Sequence, residues 1–439
     1  MNPATEPIDG ISGPGGETRW RIRTGSIAET VQELSRIWGA VAQAGPSGQP
    51  GGTDAGESTT ARRRGDPRLA PHMPDAASVR IRTRTSVLTL IVVASVEEVR
   101  ARAMGAVTAL AARHPSRAVI LTPSDPDGPA TFEAHINAAC QIPERGSSEV
   151  CTEEIVLRVG GELAQHLSST VAPLIIHDLP AVLWWPDDAP FGSPVFEELA
   201  AECDRILVDS GGFRGEGIAR LEAMAQATRQ GKVINDIAWM RLELWRELVA
   251  GLFDHPLLQP ELRRLTSVRI DLARPGSVTR LTRAALFVGW LAAMLDWQVV
   301  RPIGLGPDGI YRGVMRSGRR EIPIEFRPVA ANIDGPVRGV GSLVRVDLEA
   351  VKPRSSMRVR ITRQSDHLLA TADWNGAQVA RRPARLEAFD ETPFLGEALD
   401  RTGHDRVFEA AVDRAVKLTA ALVPGSDAAL ADAAPGTRS

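Results

Sequence analysis

The stretch SVLTLIVVASVEEVRARAMGAVTALAARHPSRAVILTP (residues 86–123) decides the fold class of this 439-residue chain. Its first nine residues form a continuous apolar, β-branched run, which is typical of a strand covered on both faces. The next part, 95–114, predicts an amphipathic helix that begins with a capping box of Ser95 and Glu98. SRAVILTP (116–123) predicts a second strand, so the unit indicates a parallel α/β sheet.

On both sides of this unit, the sequence predicts further helices and strands. Upstream, apolar residues at helical spacing predict a helix over 17–43. Downstream, after an irregular stretch, we expect a helix over 160–171, a turn at 178–180, the strand AVLWW (181–185), a helix over 196–203, the strand DRILVDS (204–210), a helix over 215–230, a long helix over 236–254, the strand VRIDLA (268–273) and a long helix over 279–297. This alternation indicates a mostly parallel sheet between two helix layers, an α/β fold.

From residue 298 the pattern changes to short alternating segments bounded by Gly, Pro and Asp, which predicts an antiparallel sheet. A final helix is expected over 404–423. Residues 301–389 hold 16 Arg and Lys against 9 Asp and Glu, so this β-rich region is basic. Two interpretations stay open: a docking face for an acidic partner or phosphorylated ligand, and a solvated outer face rich in arginine.

These patterns divide the chain into five parts. They are an N-terminal helical segment (1–43), a disordered linker (44–78), an α/β domain with a helical extension (79–297), a basic antiparallel β-rich α+β domain with a terminal helix (298–424), and a disordered tail (425–439). The linker prediction depends on its eleven Gly or Pro residues and its lack of bulky apolar side chains. Such a segment cannot bury enough apolar surface to offset the loss of chain entropy.

Composition argues against several classes of function. The net charge of −3 gives no reason to expect nucleic acid or an acidic membrane as a partner. The apolar runs are shorter than the about 20 residues that span a bilayer. The N-terminus has neither the basic nor the apolar region of a signal peptide. Three cysteines do not make a disulfide framework, so we expect a cytoplasmic protein.

Sequence motifs for catalysis or metal binding are missing from the chain. It contains no Walker motif, no HExxH, no GxSxG and no CxxC, and its eight histidines do not cluster. We therefore predict no catalytic residue, no metal and no cofactor. The GxGxxG match at Gly304–Gly309 is followed by the strand IYRGVM rather than a helix, so it predicts a hairpin turn and not a dinucleotide site.

The loop after the strand 204–210 is a candidate anion-binding loop. It follows a strand and precedes a helix, which is where open α/β sheets bind ligands. Its candidate residues are Ser210, Gly211, Gly212 and Arg214. The alternative is a plain connection between a strand and a helix.

HDLPAVLWWPD (177–187) carries two adjacent tryptophans at the end of a strand. Side chains alternate across a strand, so Trp184 and Trp185 are predicted to face opposite sides of the sheet. Both can be core residues, or one can line a crevice or an interface, where tryptophan is enriched. In the helix 236–254, Trp239 and Arg246 are predicted to lie together on one flank.

Four segments resemble the glucose-6-phosphate dehydrogenase assembly proteins, the OpcA family, in order and spacing. They are HDLPAVLWW (177–185), ECDRILVDSGGF (202–213), DIAWMRLELWRELVAGLFD (236–254) and GWLAAMLDW (289–297). Sharp motifs carry the resemblance over about 80–300. Beyond that region the chain agrees with the family only in general character. The pair Gly211-Gly212 departs from the bulkier pair that is usual in the family.

The resemblance implies a non-catalytic protein that binds glucose-6-phosphate dehydrogenase, promotes its active oligomer and activates it. Such a protein acts at the entry to the oxidative pentose phosphate pathway and so controls NADPH supply. Candidate anchors for the partner are Trp184, Trp185, Trp239 and Arg246. The alternative function is a sugar-phosphate- or nucleotide-binding enzyme or sensor that uses the loop at 209–215, and a third is a structural component of another complex.

Overall fold

A computed structural model describes residues 11–12, 18–43, 86–141, 150–215, 217–331, 339–386 and 391–422. Two β-sheets and the helices around them organise these residues. The predicted linker (44–78) and tail (425–439) lie outside the described residues. Among the helices of the described ranges, none is long and apolar enough to cross a membrane.

Seventeen strands are assigned within the described residues. The first sheet contains β1 (Ile11–Ser12), β2 (Thr18–Thr24), β3 (Leu88–Val93), β4 (Ser116–Pro123), β5 (Thr131–Gln141), β6 (Val150–Gly160), β7 (Ala181–Trp185), β8 (Arg205–Val208) and β9 (Ile234–Asp236). The second contains β10 (Ser267–Ala273), β11 (Gln298–Leu305), β12 (Tyr311–Ser317), β13 (Arg320–Val329), β14 (Leu343–Lys352), β15 (Ser355–Arg363), β16 (His367–Trp374) and β17 (Ala377–Arg385). The sheet orders are β1-β2-β5-β6-β4-β3-β7-β8-β9 and β11-β12-β13-β10-β14-β15-β16-β17.

Twelve α-helices are assigned within the same described residues. They are α1 (Ile27–Gln43), α2 (Glu97–Leu110), α3 (Glu162–Gln165), α4 (Leu167–Val171), α5 (Pro194–Ala201), α6 (Ile218–Arg229), α7 (Ile237–Arg241), α8 (Glu243–Phe253), α9 (Gln259–Leu262), α10 (Thr282–Leu295), α11 (Thr392–Asp400) and α12 (Arg406–Thr419).

The α/β prediction is confirmed in the first sheet, where β6, β4, β3, β7, β8 and β9 run parallel. Every residue of β3 is buried, as its continuous apolar run predicts. The predicted capping box is wrong. Helix α2 begins after Val96, which makes no side-chain cap, so Ser95 lies one residue too early to cap the helix.

Two predictions of local structure near the edge of the first sheet are wrong. Residues 18–24 form β2 rather than the start of a helix, because the strand pairs with β5 along its whole length. The stretch treated as irregular contains β5 and β6, an antiparallel pair. In β5 the buried residues Ala134, Ile136 and Ala138 alternate with more polar ones, a period-2 pattern that predicts a strand.

Tertiary contacts also divide two predicted helices and reassign one strand. The helix predicted over 236–254 begins as β9 and breaks at Leu242 between α7 and α8. The helix predicted over 160–171 breaks at His166 between α3 and α4. Strand β10 pairs with β13 and β14 in the second sheet, so the expected boundary at residue 297 separates it from the sheet to which it belongs.

The first sheet is the middle of three layers. On one face its side chains pack with α1, α5 and α6, and on the other with α2, α7 and α11. Helix α11, which follows the second sheet in the chain, therefore packs against the first sheet. Helix α12 packs on α10, where a Cβ at Gly289 would overlap the Ala411 carbonyl oxygen and lie 3.0 Å from the Ala415 amide nitrogen. Only glycine permits this approach of the two backbones.

Candidate functional site

The candidate site lies at the carboxyl ends of the parallel strands of the first sheet. Chain order reverses there, since β3 is followed by β4 on one side, whereas β7, β8 and β9 extend the sheet on the other. Open α/β sheets bind ligands at such a switch point. The loops after β3, β7 and β8 border a cavity of about 380 Å³ that also contacts α7 and α10.

Two aspartates lie at the ends of neighbouring strands beside this cavity, Asp236 buried and Asp209 13% exposed. Asp209 follows β8 and pairs with Arg241 of α7. Burial alone would raise the pKa of Asp209, but the charges of Arg241 and Arg283 hold it below its usual value. Asp236 ends β9, where burial and then repulsion by Asp209 raise its pKa to about 6. Of the two carboxyls, Asp236 is therefore the one that keeps its proton to higher pH.

Backbone amides of the loop after β8 donate hydrogen bonds to the two aspartates. The Ser210 amide donates to Asp236 Oδ1 at 2.8 Å, and the Ser210 hydroxyl donates to Asp236 Oδ2 at 2.7 Å. The Gly211 amide donates to Asp209 Oδ1 at 3.0 Å, and the Gly212 amide donates to the Asp209 carbonyl oxygen at 2.9 Å. These contacts hold the loop closed on the two strand ends.

The fourth residue of the candidate loop points away from it. The Arg214 side chain is 77% exposed and lies 3.8 Å from Asp188. A role of Ser210, Gly211, Gly212 and Arg214 in anion binding stays a prediction that depends on the loop's place in the fold. Arg241, Arg280 and Arg283 border the cavity beside this loop, and Arg102 of α2 borders it as well.

Sequence reasoning missed the three arginines beside the loop. Arg283 is 4% exposed and donates to the Val340 carbonyl oxygen at 3.0 Å and to Ser342 Oγ at 3.3 Å. A Cβ at Gly211 would overlap the Arg283 guanidinium, so the glycine pair that departs from the family pattern admits this side chain. An arginine inside the otherwise apolar helix 282–295 was the available signal.

Asp236→Asn is expected to flatten the pH dependence of stability between about pH 4 and 6. Because the folded pKa lies above the unfolded value of about 3.9, the folded chain binds the proton more tightly. The stabilisation of the folded state by this tighter proton binding is therefore present below pH 4 and is lost as the pH rises through 6. In the variant, Oδ1 still accepts the Ser210 and Ala238 amides, and Nδ2 donates to Ser210 Oγ.

The measurement is urea unfolding of both proteins across pH 4 to 7. Relative to the variant, the wild type should lose about 2 kcal/mol over that interval, an order-of-magnitude value from the size of the pKa change. Asp209 stays ionised through most of this window because its pKa is lowered. Parallel curves for the two proteins would contradict the assignment.

The tryptophan pair of β7 faces two different environments, as predicted. Trp184 is 0% exposed and packs in the core on the α2 side of the sheet. Trp185 is half-buried and packs on the opposite side, with its ring 5.7 Å from the ring of Phe196. Surface for a partner is therefore present on Trp185 and absent from Trp184.

Trp239 and Arg246 form one stacked unit between α7 and α8. The Arg246 guanidinium lies 3.4 Å from the Trp239 ring centroid, and the Trp239 Nε1 donates to Asp405 Oδ2 at 2.9 Å. Trp239 is 2% exposed, and burial lowers the pKa of Arg246 to about 10. The predicted flank therefore exists, and it holds the start of α12 to α7 and α8.

The GxGxxG match of the sequence forms a turn. Gly304–Gly309 joins β11 to β12, with the Gly306 amide donating to the Ile310 carbonyl oxygen at 2.9 Å and Gly309 at φ +75°. The hairpin prediction is confirmed. Within the described ranges, no group of three His, Cys, Asp or Glu side chains is placed to hold a metal ion.

Comparison with known families decides the relationship. Residues 107–226 match the OpcA family's N-terminal domain, and residues 232–412 match its C-terminal domain, both described as domains of a glucose-6-phosphate dehydrogenase subunit. The chain belongs to the OpcA family. Its resemblance to that family in the sequence is thereby confirmed.

Two cyanobacterial relatives show how far the similarity extends. The OxPP cycle protein OpcA of Nostoc punctiforme is 27% identical over 311 residues, which are 68% of this chain and 64% of that protein. Its Synechocystis counterpart is 24% identical over 311 residues, or 70% of this chain and 64% of that protein. The match thus spans less than two thirds of the length of these relatives.

Solved structures share only a loose similarity with the chain. The 3-ketoreductase KijD10 of Actinomadura kijaniata has a TM-score of 0.43 at 12% identity, over 76% of this chain and 96% of that chain. The oxidoreductase yhhX has a TM-score of 0.42 at 10% identity, over 76% and 96%.

Proposed function

We propose that this OpcA-family protein binds glucose-6-phosphate dehydrogenase as a non-catalytic assembly factor, promotes its active oligomer and activates it. The observation that supports this proposal is the ordered match of two domains, both described as parts of a glucose-6-phosphate dehydrogenase subunit, to 107–226 and 232–412. Such a protein would act at the entry to the oxidative pentose phosphate pathway and control NADPH supply.

Activation requires a difference in affinity between two states of the enzyme. A protein that binds the active and inactive oligomers equally well shifts nothing, however tightly it binds. A coupling free energy of about 1–3 kcal/mol gives an effect of about 5- to 150-fold. The protein therefore needs a surface that binds the active oligomer more tightly than the inactive one.

One face of the second sheet is the surface that we propose for this contact. Its other face is buried, with α8 packed against β15, β16 and β17. On the open face, Arg312, Glu325, Arg269, Asp347 and Arg360 follow one another in register across five strands, with alternating charge. Arg269 Nε lies 3.2 Å from Glu325, and Arg360 Nε lies 2.7 Å from Asp347.

These ion pairs show how the charges of the basic region 301–389 are arranged on this face. Its central carboxylates lie between arginines, so the middle of the sheet is largely neutralised. Exposed cations remain near opposite edges of the same face at Arg316 and Arg381. Complementary charge at the edge of an interface mainly affects the rate of association and its dependence on salt.

Arg316→Glu combined with Arg381→Glu is expected to slow association with the host's glucose-6-phosphate dehydrogenase by about tenfold at low salt. The reason is that two attractive charges become repulsive in the encounter complex. Arg214→Glu, a single charge reversal on the exposed loop after β8 in the first sheet, should leave the rate unchanged. Surface plasmon resonance at several salt concentrations measures all three proteins.

The wild-type protein must first pass a simpler test. Mixed with the dehydrogenase, it should form a complex on a sizing column and lower KM or raise kcat. No complex and no kinetic change would refute the proposed function. A complex whose association is affected equally by both sets of reversals would refute only the proposed surface.

A further inference from the structure

The cavity at the strand ends is lined, among the described residues, by four arginines and four acidic side chains, none of which the proposed function uses. It is lined by the loops after β3, β7 and β8 and by side chains from α2, α7 and α10. Arg241, Arg280 and Arg283 all reach it, from two helices and the turn before one of them. Chain positions about 40 residues apart thus supply guanidinium groups to one space.

The acidic side chains of the cavity are placed differently from the arginines. Glu98 is exposed, and Glu391 pairs with Arg102 at 3.3 Å. Asp187 is half-buried and also lines the cavity, and Asp209, 13% exposed, pairs with Arg241. Next to it, Arg280 is partly buried and its Nη1 lies 3.4 Å from the Gly211 carbonyl oxygen.

The arginines bear an electrostatic cost in this position. Burial lowers the pKa of Arg283 to about 10 and also lowers that of Arg280. A dianion between these side chains would offset that cost, because charge-assisted hydrogen bonds are stronger where water is excluded. Arginine's planar fork suits the oxygens of a phosphate group.

We propose that this cavity binds a phosphate monoester, with Arg280 and Arg283 as the ligands of its phosphate group. The volume of about 380 Å³ exceeds what a free phosphate fills and leaves room for a sugar, within the usual size of small-molecule sites. The site differs from the loop predicted from sequence, since side chains rather than amides recognise the anion. It does not depend on a dehydrogenase partner.

Gly212 offers a way to close the cavity without removing a charge. It lines the space, and a Cβ there would meet nothing nearer than the Pro186 carbonyl oxygen at 4.0 Å. Its backbone is not left-handed, so a larger residue is accepted without strain. Gly212→Leu therefore places an apolar side chain in the cavity, obstructs it and leaves its arginines in place.

Isothermal titration of the full chain with inorganic phosphate, glucose 6-phosphate and glucose tests the site. The wild type should bind one equivalent of phosphate compound and no glucose. Arg280→Gln should weaken binding by about tenfold or more, and Gly212→Leu should abolish it. Arg214→Gln, an exposed arginine on the adjoining loop, should bind like the wild type. Thermal melts confirm that each variant is folded.

The titrations with inorganic phosphate and with glucose 6-phosphate distinguish the two compounds that could supply the phosphate group. Tighter binding of glucose 6-phosphate assigns the site to a sugar phosphate, and equal affinity assigns it to phosphate itself. Absence of saturable binding by the wild type would overturn the inference, as would unaltered binding by folded Arg280→Gln and Gly212→Leu. If Arg214→Gln weakens binding as much as Arg280→Gln does, the anion binds instead at the loop predicted from the sequence. The assay contains no dehydrogenase, so its outcome is independent of the proposed function.

Discussion

Trp184→Ala is expected to lower the free energy of unfolding by about 3–5 kcal/mol, whereas Trp185→Ala should cost less than half as much. Trp184 is fully buried beneath α2, so its removal leaves a cavity that the surrounding β-strands cannot close. Trp185 is half-buried, so part of the space it leaves opens to solvent. Urea unfolding of the two variants measures the difference.

The same pair tests the proposed contact with the dehydrogenase. If the exposed part of Trp185 touches the partner, Trp185→Ala should weaken the complex, and folded Trp184→Phe should not. Phenylalanine keeps most of the apolar ring and removes Nε1, for which no hydrogen-bond partner is found among the described residues. Equal losses of stability in the two alanine variants would contradict the assignment of the two faces.

Arg117→Met is expected to cost about 3–5 kcal/mol of stability, because it removes the Arg117 cation from the buried carboxylate of Glu153. Arg117 and Glu153 face each other on β4 and β6, and both are buried. Arg117 Nε donates to Glu153 Oε2 at 2.5 Å, and its Nη1 donates to the Leu174 carbonyl oxygen at 2.9 Å. The pair therefore links the middle of the sheet to the segment before β7.

The double replacement Arg117→Met with Glu153→Leu is the matched control. Two apolar side chains of similar volume remove both charges together, and such exchanges are often neutral or stabilising. We expect the double variant to be more stable than Arg117→Met by several kcal/mol, as chemical denaturation would show. A double variant no more stable than the single one would show that the cost comes from packing and not from the isolated charge.

Features that depend on neighbours along the chain were predictable from the sequence. The strands β3, β4 and β7 follow from their apolar runs, and the turn at Gly304–Gly309 follows from its Pro-Asp-Gly signal. The opposite placement of Trp184 and Trp185 follows from the period of a strand. The OpcA family was recognisable because its motifs are continuous segments.

The site required the tertiary structure, because its residues come from separate elements. Arg241 lies at the end of a short helix, Arg280 precedes another helix and Arg283 is buried within it. The apolar helix around Arg283 marks that residue as unusual, but no local pattern shows that the three arginines meet, since a charged side chain in a helix usually faces solvent. Only the packing of those helices against the strand ends brings the three groups to one cavity.

The pairing of β10 in the second sheet also depends on residues that are distant in the sequence. Its apolar alternation determines that it is a strand, but its neighbours are β13 and β14, more than 50 residues further along the chain. The sequence by itself thus determined the family and most of the local elements, through periodicity and short motifs. The tertiary structure alone decided which strands pair and which charges meet, because those contacts join distant residues whose spacing leaves no local pattern.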